Sequence, residues 1–66
     1  MKVRYDRTAD AVYFRLDDSP IVESEEVQPG VIVDFNRDNQ VVGVEILGVR
    51  ARAPHADLTQ VQFEVG

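Results

Sequence analysis

Between residues 31 and 47 the chain carries two apolar runs, Val31-Ile32-Val33-Asp34-Phe35 and Val41-Val42-Gly43-Val44-Glu45-Ile46-Leu47, separated by a polar break. Both arms hold apolar residues on both parities, which marks them as the most buried strands of the fold. Folding one arm back on the other fixes the register by parity, because residues paired across a ladder point to the same side. Val31, Val33 and Phe35 then share a face with Val42, Val44 and Ile46. Pairing Phe35 with Gln40 meets this condition and leaves the four-residue loop Asn36-Arg37-Asp38-Asn39, a length that commonly holds a type I turn. Asn39 is the loop residue best able to adopt a left-handed backbone. The same register sets Gly30 opposite Glu45 and Val41 opposite Asp34.

The flanking segments also read as strands. Lys2 to Tyr5 alternates, with Val3 and Tyr5 on one side and Lys2 and Arg4 on the other. Asp6-Arg7-Thr8-Ala9-Asp10 interrupts it, and Asp6 can bond the backbone two residues on, the local reason that Asp starts turns. Ala11 to Leu16 follows, with Val12, Phe14 and Leu16 facing one way and aromatic and β-branched residues favouring a strand. Pro20 ends it, since proline lacks an amide donor and biases Ser19 to extended geometry. Ile21 to Gln28 differs from the rest, for Glu23, Glu25 and Glu26 place charge on both faces. A short helix competes there, but the Pro29-Gly30 turn and flanking valines favour an edge strand, where charge discourages stray pairing. Residues 49–58 form a polar, mobile connection. Val61, Phe63 and Val65, alternating with Gln60, Gln62 and Glu64, then suggest a final strand that closes the sheet or crosses to a second subunit.

Sixty-six residues make one domain at most. A chain of this size hides only about 60% of its unfolded surface, so small domains lean on disulfides, metals or partners. The sequence has no cysteine, which removes disulfides and thiolate metal sites together. Self-association is the remaining route. A net charge of −5 with no basic stripe argues against phosphate-driven nucleic-acid binding and fits solubility or a basic protein partner. No apolar run reaches signal or membrane-spanning length, so a cytoplasmic protein is expected.

One ordered string of residues resembles a known group. It runs Tyr5-Asp6, Ala9-Asp10-Ala11, Tyr13 and Leu16, then Glu25, Gly30-Val31 and Val33-Asp34, then Val42-Gly43 and Glu45-Ile46-Leu47. In this it is similar to the bacterial and archaeal family known as domain of unknown function 2283, over roughly residues 2 to 49. Asn39 stands where that family often shows Gly. The resemblance implies no established activity and no catalytic residue. Because some members look to be encoded beside small toxin-like proteins, it makes an antitoxin or partner-binding role thinkable.

Several apparent motifs dissolve on inspection. Asp34-x-Asn36-x-Asp38 with Glu45 at the twelfth position reads like a calcium loop. Asn39 replaces the usual Gly at its sixth position, and strands flank it where helices are needed. The parity register also separates Asp34 from Glu45 by on the order of 13 Å at ~3.4 Å per strand residue, too far for one cation or for a hydrolytic carboxylate pair. Glu45 is unusual on a central strand, because an unpaired buried charge is costly. It reads as exposed or paired with Arg15, Arg50 or Arg52, with a ligand or partner contact as the alternative. His55, the only histidine, and the serines Ser19 and Ser24 lack the strand–turn–helix elbow that a catalytic triad needs. Tyr5, Tyr13, Phe14, Phe35 and Phe63 lack the accompanying Lys and Arg of a base-stacking platform and read as core.

The sequence therefore predicts one all-β domain over residues 1–66, a small antiparallel β-meander of five to six strands completed by dimerisation. The leading function is a non-catalytic protein-interaction module, antitoxin-like or accessory to a small basic protein, with no catalytic residue, metal or cofactor. Glu23, Glu25, Glu26 and Glu45 are the candidate partner contacts. A small-ligand or calcium-binding domain ranks second and a hydrolytic enzyme third.

Overall fold

The computed structural model describes residues 1–66. Five strands, β1 (Lys2–Asp6), β2 (Ala11–Arg15), β3 (Glu23–Gln28), β4 (Val31–Phe35) and β5 (Val41–Leu47), precede a single helical turn, α1 (Val49–Arg52). All pairings are antiparallel and form one five-stranded sheet in the order β1-β2-β5-β4-β3. The antiparallel all-β class and the strand number stand as expected. The order departs from a strictly consecutive meander at one place: β2 pairs with β5, and residues 16–22 carry the chain across to β3 on the far edge. A consecutive order would have put β3, with its three glutamates, at the centre. The observed order puts there β5, flanked by β4, the two strands with apolar residues on both parities lying inside, and leaves charged β3 outside.

The turns follow local side-chain chemistry. Asp6 Oδ1 accepts from the amides of Thr8 (2.9 Å) and Ala9 (3.1 Å), and Asp10 closes the turn with φ 52°. In the β4–β5 loop Asn39 adopts the expected left-handed backbone, φ 60°. Asn36 organises that loop: its Oδ1 accepts from the amides of Asp38 and Gln40, both at 3.0 Å.

The β4–β5 register corrects the parity argument in one respect. For Val31 and Val33 the facing sets are as expected, since Val33 lies opposite Val44 and Val31 opposite Ile46, but the arms slide by two residues, so Asp34 faces Gly43 and Ile32 faces Glu45. A bulge between Asp34 and Phe35 takes up one residue of the slide and pairs Phe35 with Val41 in place of Gln40. The chain after β5 is a second correction. Part of the expected loop, 49–52, is helical, and the expected final strand at 60–65 is not formed. There Val61, Phe63 and Val65 are 68%, 75% and 84% exposed.

Cross-strand pairing sorts the side chains onto two faces. One carries the rows Val3–Phe14–Val44–Val33 and Tyr5–Val12–Ile46–Val31. It is apolar, yet none of these eight side chains is fully buried. The buried apolar residues are only Ala11, Val42 and Val49. α1 is pinned at the end of the sheet, where the Val49 amide donates to the Asp10 carbonyl at 3.2 Å and Arg52 reaches the carbonyls of Leu47 and Pro29, each at 2.8 Å.

Candidate functional site

The opposite face is polar and organised around Asp34, which is only 9% exposed. Strand pairing brings Lys2, Arg15, Gly43, Asp34 and Ser24 into one row, and Arg4, Tyr13, Glu45, Ile32 and Glu26 into the next. The Tyr13 hydroxyl donates to Asp34 Oδ2 at 2.7 Å and Ser24 Oγ donates to Asp34 Oδ1 at 2.6 Å. Both carboxylate oxygens are thus engaged, which is how a nearly buried carboxylate avoids the penalty of an unsatisfied group. Burial, and then the hydrogen bond to Asp34, raise the Tyr13 phenol above its ordinary value, so it stays a neutral donor.

Gly43 makes this arrangement possible. It sits on β5 directly under the pair, and a Cβ there would lie 2.8 Å from Asp34 Oδ2 and 3.0 Å from Tyr13 Cζ. An interior strand glycine often marks such a close approach. Sequence reasoning missed this group, taking Tyr13 as core and Asp34 as turn chemistry. The glycine within the most apolar strand was the available signal.

Arg4, Tyr13, Ile32, Asp34 and Glu45 line a groove of about 360 Å³ together with Asp6, Ala9 and Ala11. Glu45 is half-buried in it. None of the three arginines considered as its partner reaches it: Arg15 binds the carbonyls of Asp17 and Ser19, Arg50 lies 3.8 Å from Asp10, and Arg52 holds Leu47 and Pro29. Arg4 is the cation on its groove. The two-residue slide also removes the spacing argument against Asp34 and Glu45 acting together. They are diagonal neighbours on one face, about 7–8 Å apart by sheet geometry, so their separation excludes neither a shared cation nor a hydrolytic pair.

A second polar cluster ties the β1–β2 turn to α1. The Tyr5 hydroxyl donates to Asp10 Oδ1 at 2.6 Å, and the Arg50 amide donates to both Asp10 oxygens at 3.2 Å. The Tyr5 hydrogen bond, helped by the Arg50 amide and charge, holds the Asp10 carboxyl below its ordinary value. This is a structural clamp.

The other candidates lie apart from the groove or at its margin. Glu23, Glu25 and Glu26 are all exposed on the outer strand β3, where Glu26 Oε1 also accepts from the Gly30 amide at 3.2 Å. His55 is exposed, in the segment that follows α1. The five aromatic residues do not share a core: Tyr13 points to the polar face, Phe14 to the apolar one, and Phe63 lies in the exposed tail. No helix is long and apolar enough to cross a membrane.

Searches of curated proteins and of solved structures return no match. A family profile does match, over residues 2–50, which takes in the whole sheet and the start of α1. The string from Tyr5 to Leu47 therefore carries more than a likeness: the chain belongs to the DUF2283 family, described as proteins of unknown function.

Proposed function

We propose that the chain is a non-catalytic protein-interaction module that works as a homodimer, two copies meeting through the apolar sheet face. The observation that carries this reading is the surface left uncovered by a single layer. A folded monomer of 7.4 kDa exposes about 4,200 Å² by the usual scaling of area with mass, whereas this chain exposes 5249 Å². The surplus, to which the exposed chain after α1 also contributes, is of the order of the ~800 Å² that each partner gives to a standard interface. Face-to-face packing of two sheets is a common way to bury such a surface. Sedimentation equilibrium tests it: a dimer mass at micromolar concentration is expected, and a monomer persisting to millimolar concentration overturns it.

The non-catalytic part rests on Asp34, whose oxygens are already committed to Tyr13 and Ser24 and so are poorly placed to take a proton from a substrate. In the proposed dimer the β3 edge stays open. Glu23, Glu25 and Glu26 give it the charge to steer a small basic protein, in an accessory or antitoxin-like role. The groove beside Glu45 favours a second reading, a small-ligand or calcium site. Calorimetric titration with calcium separates the two, since heat and a raised melting temperature would favour the second.

A further inference from the structure

We infer that residues 60–65 form a strand on a second copy of this chain, adding along the free edge of its β1. The inference rests on the homodimer reading and says how the two copies are joined. Three observations carry it. First, the segment alternates as a strand does, yet makes no backbone hydrogen bond in its own chain after Gln60, whose amide bonds Asp57 at 3.4 Å. Two small turns, closed by the Ala56 amide on Ala53 (3.1 Å) and by that Gln60 bond, precede it after α1.

Second, the pattern selects the edge. On β1, Val3 and Tyr5 point to the apolar face while Lys2 and Arg4 point to the polar one. A tail strand with Val61, Phe63 and Val65 beside Val3 and Tyr5 extends the apolar face, and puts Glu64 on the side of Lys2 and Arg4. On the β3 edge the same strand would set Val61, Phe63 and Val65 against Glu23 and Glu25 on the apolar side and Glu64 on the side of Glu26, so charge burial and like charge both oppose it. Third, Val61, Phe63 and Val65 are the most exposed large apolar side chains after β5. Adding a strand to an open edge supplies backbone hydrogen bonds, and the alternating side chains supply specificity.

Amide hydrogen exchange and sedimentation on the full chain, across a concentration series, test it. Alternate amides of residues 61–65 and the outward amides of β1 should gain at least tenfold protection in step with dimer formation. Phe63→Asp, at an exposed position, should leave the monomer's circular dichroism unchanged and raise the dimer dissociation constant at least tenfold. Glu64→Lys should weaken the dimer less, and Arg4→Glu in the same chain should restore part of the loss. A dimer indifferent to Phe63→Asp, with tail amides unprotected, overturns the strand exchange and leaves the homodimer standing. Tail protection independent of concentration means that each tail closes its own sheet, which also overturns it. No dimer at any concentration removes both.

Discussion

Replacing Gly43 with alanine adds one methyl group beneath the Tyr13–Asp34 hydrogen bond. The new carbon would sit 2.8 Å from Asp34 Oδ2 and closer still to the Tyr13 hydroxyl, well inside the ~3.5–4.0 Å of a comfortable contact. The polar face is open, so the Tyr13 ring can swing aside while the backbone holds. The loss is then one hydrogen bond to a carboxylate, about 1.5–3 kcal/mol. Against it, alanine restricts the unfolded chain and returns about 0.4–1 kcal/mol. The net destabilisation is about 1–2 kcal/mol, which in a domain of this size lowers the melting temperature by roughly 5–15 °C. Urea unfolding followed by circular dichroism, at one fixed protein concentration, measures it. The companion background is Tyr13→Phe, where the hydroxyl is already gone and Gly43→Ala should cost less, with only the contacts to Asp34 Oδ2 and the ring carbon left. Equal costs in the two backgrounds would refute the claim that Gly43 is there to admit the Tyr13–Asp34 pair.

Val44→Asp puts a charge at the middle of the apolar face, between Phe14 and Val33, and should unfold or dissociate the protein; a native melting curve would show the face assignment to be wrong. Asn39→Ala should cost about 1 kcal/mol in urea unfolding, because alanine tolerates the left-handed backbone poorly, while Asn39→Gly should be close to neutral. The Asp10 carboxyl is held low by Tyr5 and Arg50, so its contribution is complete above the ordinary carboxyl range and is lost as pH falls through the lower folded value. Melting temperature against pH should therefore drop below about pH 4, and Asp10→Asn should flatten that limb; an unchanged limb would remove Asp10 from the clamp.

Much of the architecture was legible because the decisive information is alternation. The facing sets Val31/Val33 and Val44/Ile46 follow from parity alone, and the three glutamates of β3 announce an edge. Parity, however, cannot tell one register from another two residues away. The Asp34–Phe35 bulge made that choice, and with it the distance between Asp34 and Glu45. The β2–β5 pairing was hidden for another reason: sequential strands usually neighbour one another, and nothing local in residues 16–22 announces a crossing. It could have been argued from burial, since β4 and β5, apolar on both parities, belong inside the sheet and charged β3 outside it. The final strand was predicted from a sound pattern that finds no partner within the chain. The Tyr13–Asp34–Ser24 group stayed invisible because it joins three strands, and only the correct register lines them up.

The pairing of β2 with β5 also shapes how the chain assembles. Every other ladder joins consecutive strands, whereas Ala11 must find Leu47 across most of the polypeptide. Local hairpins close in microseconds, but a contact of such sequence separation must first overcome the entropy of a long loop. Docking of β1–β2 onto β3–β4–β5 is then the slow step of folding. A cut in the surface crossover at residues 17–20 would leave every ladder intact. The two pieces would find each other with second-order kinetics, as a small and a larger hairpin unit that share one polypeptide by convenience.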